Sequence, residues 1–335
     1  MLGTSGPRIA TNLTKKIVLL CFYDLRTSWC TPMFDAMSPP DLPDEFGLSP
    51  TPVVGTGRPS DKDLQRADGC GRIVLRGSAD STCIEDIFER SPIRIMFPRA
   101  GHRSLEEAVL INTAGGVAGG DRLELCVTAL PGASIAVTSQ AAEKVYRALH
   151  DPAHVRTRLK ARESTKLAWL PQETIVFNSA RLHRTTEIEV TSGTELLALE
   201  WLVLGRAAHG EIVIGGNIID SWYVKKDGQL IWADTFRVSD ETFPHLNQKA
   251  LLSDCNAIAT LVYFGPNLDK LLELLREIMP SLGCNCGVTL VSGVIVVRFA
   301  AKESFDLKLA LRGFLQQLGP QLGSGPFRVP KMWSC

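Results

Sequence analysis

The residues most able to do chemistry begin with AGGVAGGDR at 114–122, where two glycine pairs lead into an acid and a base. A phosphate loop needs GxxxxGK followed by Ser or Thr, because the lysine neutralises phosphate and the hydroxyl holds magnesium. Gly115 and Gly120 have that spacing, but Asp121 stands where the lysine belongs. A carboxylate there repels phosphate. The dinucleotide pattern GxGxxG is absent, and no clear helix follows to offer its N-terminus. Two readings remain. Gly115, Gly116, Gly119 and Gly120 can form a tight corner that Asp121 and Arg122 cap and pin. Alternatively, the corner serves to present the Asp121 carboxylate.

Acids inside apolar runs are the second group. Glu200 lies in LLALEWLVLG, Asp234 in LIWADTFRV and Glu173, beside Gln172, in WLPQETIVF. Burying an ionised carboxylate costs several kcal/mol (order of magnitude) unless it is paired, hydrogen-bonded or hydrated. Arginine pairing is the structural explanation, with Arg206 and Arg237 available. A wet, acid-lined cavity that attracts cations is the functional one.

Histidines and cysteines offer less. His150 and His154 have the i, i+4 spacing of a helical metal site, but Pro152 between them breaks such a helix. HxH, HExxH and CxxC are absent; Cys284 and Cys286 are the one close cysteine pair. A weak, oxygen-rich site for a divalent ion in transit stays compatible with the sequence. No GxSxG elbow is present, and no nucleophile–base–orienter set emerges. The chain reads as a non-enzyme.

These residues need elements to hold them. From residue 72 onward, short β-type runs alternate with turn signals, at 72–75, 93–97, 108–112, 123–128, 134–138, 155–159, 166–170, 174–177, 186–190 and 195–204. Residues 211–220 and 222–226 continue the series. Asp227–Gly228 then marks a hairpin before 230–238. Trp169, Trp201, Trp222 and Trp232 sit in such runs and read as core. Residues 141–149 read as a short helix. Residues 267–279 carry a leucine stripe ended by Pro280, and 304–318 form a second amphipathic helix with Phe305, Leu309, Leu311 and Leu315 apolar. A hairpin over 288–299 lies between them. The expected class is mainly β with an α+β C-terminal part, and no internal repeat is evident.

Bulk properties bound the function. The 335 residues carry 36 basic and 36 acidic side chains, so the net charge is zero, which argues against nucleic-acid binding. Lys15–Lys16 precede an apolar run at the bottom of the length range of a secretion signal, which Asp24 ends with no small-residue cleavage site directly after it, and no stretch nears the roughly 20 apolar residues of a membrane span. Nine cysteines without a disulfide framework fit a reducing cytoplasm. Residues 1–70 are proline-rich from 31 to 60. They read as a flexible extension, or as sequence upstream of a start at Met37 or later.

Five blocks in order resemble the urease accessory protein family UreD, called UreH in some organisms. They are NTAGGVAGGDRLEL at 112–125, VTSQAAEKVYRA at 137–148, LAWLPQETIVF at 167–177, LVLGRAAHGE at 202–211 and PFRVPKMW at 326–333. The likeness covers about residues 71–335. It implies a β-helix-like stack of many short strands with two C-terminal helices. It implies a scaffold for nickel insertion into apo-urease, working with a UreF-type partner and through it a UreG-type GTPase. No tightly bound cofactor is implied, only transient Ni2+ along an internal passage. Asp121, Glu200 and Asp234 fall where the family's passage acids are expected. Arg206 and Glu211 fall in its GR-to-GE block. A rival reading is an interaction protein that stabilises a urease complex without touching nickel. Two departures stand out. Asn112-Thr113-Ala114 replaces the His-Pro-Pro of many members, and Glu143 stands where many have Ser or Thr. Glu143 then either adds charge near the passage or pairs with Lys144 at the surface.

Overall fold

A computed structural model describes residues 65–78, 81–98, 107–322 and 329–334. The extension expected over 1–70 lies almost wholly outside them. Its last residues already belong to the fold, because β1 (Asp68–Ser78) begins there.

The chain opens with β1, β2 (Ser81–Arg90), β3 (Ile93–Met96) and β4 (Glu107–Asn112). It then winds in coils. β5 (Arg122–Ala129), β6 (Ser134–Ser139) and β7 (Glu143–Val145) form one coil. β8 (Ala153–Ala161), β9 (Lys166–Trp169) and β10 (Thr174–Val176) form the next, and β11 (Arg181–Val190) and β12 (Glu195–Leu204) a third. Successive coils stack in parallel on three sides. The first side carries β5, β8 and β11, joined to β1 and then to β13 (Asn217–Lys226). The second carries β4, β6, β9 and the start of β12. The third is narrow: β7, β10 and the end of β12.

The same step recurs on every side. Arg122, His154 and His183 lie in one ladder, and Ser134, Lys166 and Glu195 in another. Val117, Val145, Val176 and Leu204 stack along the third side. This period of about 30 residues marks a solenoid. It has no counterpart in residue identity, so the sequence shows no repeat. A parallel ladder requires only matched lengths and inward apolar positions.

Alternation explains the coils. In β11, Leu182, Arg184, Thr186, Ile188 and Val190 are buried, and the residues between them are only partly so. β12 is buried nearly throughout because both faces are covered. Leu196 and Ala198 belong to the apolar cluster between the sheets. Leu197, Leu199 and Trp201 pack instead with the helices α1 (Leu268–Ile278) and α2 (Ser304–Leu318). Antiparallel strands β14 (Gln229–Val238), β15 (Ala257–Phe264), β16 (Asn285–Val291) and β17 (Val294–Ala301) complete the two sheets.

Most expected strands and both C-terminal helices are present; β2 and β15 were not anticipated. The expected helix over 141–149 is instead the three-residue β7 followed by a bridge at Arg147. Backbone partners on the neighbouring coil override the helical character of AAEKVYRAL. The expected strand over 211–220 begins only at Asn217. In α2 the buried face is Leu307, Ala310, Leu311, Phe314, Leu315 and Leu318, leaving Phe305 and Leu309 exposed.

Trp333, in the closing block, has a mechanical role. Trp333 is buried, its ring lies 5.9 Å from that of Trp201, and its Nε1 donates to the Leu170 carbonyl at 2.9 Å. Trp201 Nε1 donates to the Pro171 carbonyl. Two indoles thus clamp the bend between β9 and β10. Trp333→Ala should cost about 3–5 kcal/mol, read as a lower urea midpoint.

Candidate functional site

Between the coils lies a cavity of about 290 Å³, with Ile93, Leu123, Leu125 and Trp169 among its apolar lining. Its polar wall includes, from adjacent coils, Asn112, Glu143, Lys144, Gln172, Arg184 and Glu200.

Arg184 is the centre of the deep end. It points inward from β11 and is 3% exposed. Its Nε and Nη2 donate to the two carboxylate oxygens of Asp220 at 2.8 and 2.7 Å. Its Nη1 donates to Glu200 Oε2 at 2.7 Å and to Thr174 Oγ1 at 3.1 Å. Trp169 Nε1 donates to the other Glu200 oxygen at 2.8 Å. Burial pulls the guanidinium's pKa down, but the Asp220 and Glu200 charges outweigh it and hold the pKa up. Burial pushes the Glu200 carboxyl up, against the opposing pull of Arg184. Two carboxylates face one guanidinium, so the node carries an acidic surplus.

Glu143 occupies a shallower position and is half-buried. Asn112 Nδ2 donates to both its oxygens, at 3.2 and 3.0 Å. The glycine corner orients that amide in turn. Asn112 Oδ1 accepts from the Ala114 N–H, and Nδ2 also donates to the Gly116 carbonyl. Gly116 has φ +156°, and a Cβ there would sit 2.5 Å from the Tyr146 ring. Burial pushes the Glu143 carboxyl above its ordinary range despite the Asn112 hydrogen bonds. No Glu143–Lys144 ion pair within 4.0 Å occurs among the described residues, although the Lys144 charge also favours the Glu143 carboxylate; both residues line the cavity. The two departures noted in the sequence touch each other.

Gln172 is 4% exposed, and neither its Oε1 nor its Nε2 has a hydrogen-bond partner among the described residues. Glu173 next to it is partly buried, with Oε2 also unpartnered, but it does not line the cavity.

The three carboxylates anticipated for a passage are not brought together. Asp121 caps the corner: Oδ1 accepts from the Ala67 N–H at 2.8 Å and Oδ2 from the Ala118 N–H at 2.7 Å. Close approach explains Gly119, where a Cβ would lie 2.5 Å from the Asp151 carbonyl. Arg122 is exposed, and its N–H donates to the Ala67 carbonyl. Gly115 and Gly120 adopt positive φ around the same turn. Asp234 pairs with Arg298 at 2.6 Å, linking β14 to β17. Only Glu200 lines the cavity. Its partner is Arg184, not Arg206 or Arg237. Arg206 is instead bidentate to Glu211, at 2.9 and 3.1 Å, and stacks 4.1 Å from the Phe177 ring on the outside. Arg206 holds the Glu211 carboxyl below its ordinary range. No group of three or more His, Cys, Asp or Glu able to hold a metal occurs among the described residues.

Arg184 and Asp220 went unnoticed in the sequence. Their signal is phase. Each sits among inward apolar positions, Leu182 and Ile188 for one, Ile218 and Trp222 for the other.

Fold and cavity define a class: a parallel β-solenoid with an acid-bearing chamber between its coils. Residues 67–334 match the family described as UreD urease accessory protein. A urease accessory protein UreD of Rhizobium johnstonii is 37% identical over 270 residues, covering 81% of this chain and 96% of its own. One from Mesorhizobium japonicum is 38% identical over 273 residues, with 81% and 95% covered. Urease accessory protein UreD 1 of Brucella abortus is 34% identical over 283 residues, with 84% and 99% covered. The chain belongs to the UreD family, and its place is in urease maturation as an accessory protein. No helix among the described residues is long and apolar enough to cross a membrane.

Replacing Arg184 by Met strands two buried carboxylates and should cost about 3–5 kcal/mol in urea unfolding. Adding Glu200→Gln and Asp220→Asn should restore most of that loss. A second outcome concerns pH. Because the folded Glu143 pKa is raised, its protonated form favours folding, and that contribution is lost as pH rises through the folded pKa. Glu143→Gln should therefore be more stable than the parent at pH 8, with the gap narrowing toward pH 5 in thermal unfolding.

Proposed function

We propose that this chain is the scaffold on which nickel reaches apo-urease. A UreF-type protein binds it and brings a UreG-type GTPase, and Ni2+ moves through the solenoid interior toward the urease active site. The observation that carries the reading is the interior chamber. Glu143 and Glu200 line it together with Arg184 and Lys144, Glu200 and the neighbouring Asp220 share the Arg184 guanidinium, and the Gln172 amide is unengaged.

The chemistry suits a cargo rather than a resident metal. Carboxylate and amide oxygens bind Ni2+ less tightly than thiolate or imidazole clusters, so an ion held by them can leave again. In this reading Glu200 lines the route. Asp121 and Asp234 serve it indirectly, one by shaping the glycine corner and one by joining the two sheets. Their engagement in structural contacts favours the rival scaffold without nickel contact just as well, so the test must separate the two.

Urease purified from cells lacking this gene should be nickel-poor and inactive, and the full chain should restore it. Glu200→Gln, which keeps side-chain size, should still co-purify with urease but load several-fold less nickel. Full loading with intact co-purification would leave only the scaffold role. Normal nickel in the deletion would overturn both.

A further inference from the structure

The close cysteine pair of the sequence does not line the chamber. It lies in SLGCNCGV at 281–288. Cys286 is the second residue of β16, and Cys284 stands just before the strand, outside its ladder with β17. Residues two apart in an extended segment point to one face. Both thiols accordingly pack against the apolar cluster that holds α1 and α2, and they are hydrogen-bonded to each other. Cys286 Sγ also donates to the Met279 carbonyl at 3.6 Å, just past the end of α1. The hydrogen bond from Cys284 holds the Cys286 thiol below the ordinary cysteine value and pushes the Cys284 thiol up.

Backbone and access favour a reaction between the two sulfurs. An extended pair two residues apart has its Cα atoms about 6.6 Å apart, at the upper end of the roughly 4.4–6.8 Å that a disulfide spans. Glycines bracket the pair, and Gly283 has φ +68°, so Cys284 can draw closer without breaking a ladder bond. β16 is an edge strand of its sheet, and both cysteines are partly exposed. A third thiol lies near: Asn285 Nδ2 donates to Cys255 Sγ at 3.6 Å. Burial pushes that thiol up, which keeps it unreactive.

We propose that Cys284 and Cys286 are a modification site, a dithiol that a hydroperoxide converts into an intramolecular disulfide. The Cys286 thiolate attacks one peroxide oxygen. The O–O bond breaks, Cys286 becomes a sulfenic acid, and the departing hydroxide takes up the proton that Cys286 had released. The Cys284 sulfur then attacks the sulfenic sulfur. An S–S bond forms, the S–O bond breaks, and hydroxide leaves with the Cys284 proton as a second water. Two thiols give up two electrons and the peroxide accepts them. So short a ring is strained and easily reduced, so two thiols of a cellular reductant reverse the step by exchange. The closed ring withdraws Cys286 from Met279, at the junction of α1 and β16.

The test treats the reduced full chain with hydrogen peroxide, alkylates the remaining thiols and follows the tryptic peptide 277–298, which carries both cysteines and no third. That peptide should lose both alkylation sites and the mass of two hydrogens, about tenfold or more faster than exposed Cys83 is oxidised. Dithiothreitol should restore both thiols. Cys284→Ser should stop at a sulfenic acid on Cys286 that dimedone traps, and Cys286→Ser should leave Cys284 unoxidised. Cys255→Ser should behave as the parent. Full alkylation of both cysteines in the treated parent, oxidation no faster than at Cys83, or disulfides formed only between chains would each overturn the site. The parent peptide decides the matter by itself if a variant folds poorly.

Discussion

The buried guanidinium of Arg184 ties the interior together. It rises from β11, grips Asp220 on β13 with two hydrogen bonds, reaches Glu200 on β12 and touches Thr174 on β10. Trp169 on β9 completes the set through Glu200. A solenoid otherwise holds its coils by backbone ladders and apolar stacking, neither of which fixes one coil's side chains against another's. A charged group in a low-dielectric interior does, because each partner it lacks costs several kcal/mol (order of magnitude). Three sides of the stack are therefore locked at one level, and the cavity keeps its shape at that level.

The polar residues divide by what they hold. Asp121, Arg206–Glu211 and Asp234–Arg298 bind the fold to itself: at the glycine corner, on the outer edge of the narrow side, and across the two sheets. Glu143, Gln172 and Glu200 face the chamber. The corner serves both groups. Asp121 fixes its backbone, and Asn112 at its entry carries that order inward to Glu143. Four of the family blocks meet on this narrow side: the glycine stretch bridges to β7 at Val117, β7 pairs with β10, and β10 pairs with the end of β12. Blocks scattered over some hundred residues are thus neighbours in space.

Elements with a local signature were legible from residues alone. The α2 helix carries its period in its own leucines and occupies the expected span, and the Asp227–Gly228 turn joins β13 to β14 as a hairpin. The helix expected over 141–149 shows the limit. Its residues favour a helix, but the Glu143–Val145 backbone finds its partners on β10, and that ladder decides. The repeat was invisible for a related reason: stacking coils share geometry, not residues.

The sequence by itself determined the mainly β class, the two C-terminal helices, the glycine corner and the presence of acids in apolar runs, because each is written in adjacent residues and their periodicity. Through its ordered blocks it also pointed to the UreD family. Only the tertiary structure decided which acid does what. Whether a carboxylate caps a turn, meets an arginine or faces a cavity depends on residues tens of positions away. Asp234 meets Arg298, Glu200 meets Arg184, and Glu143 is left with an amide. Those distances are closed by the winding of the coils, and no spacing in the chain records them.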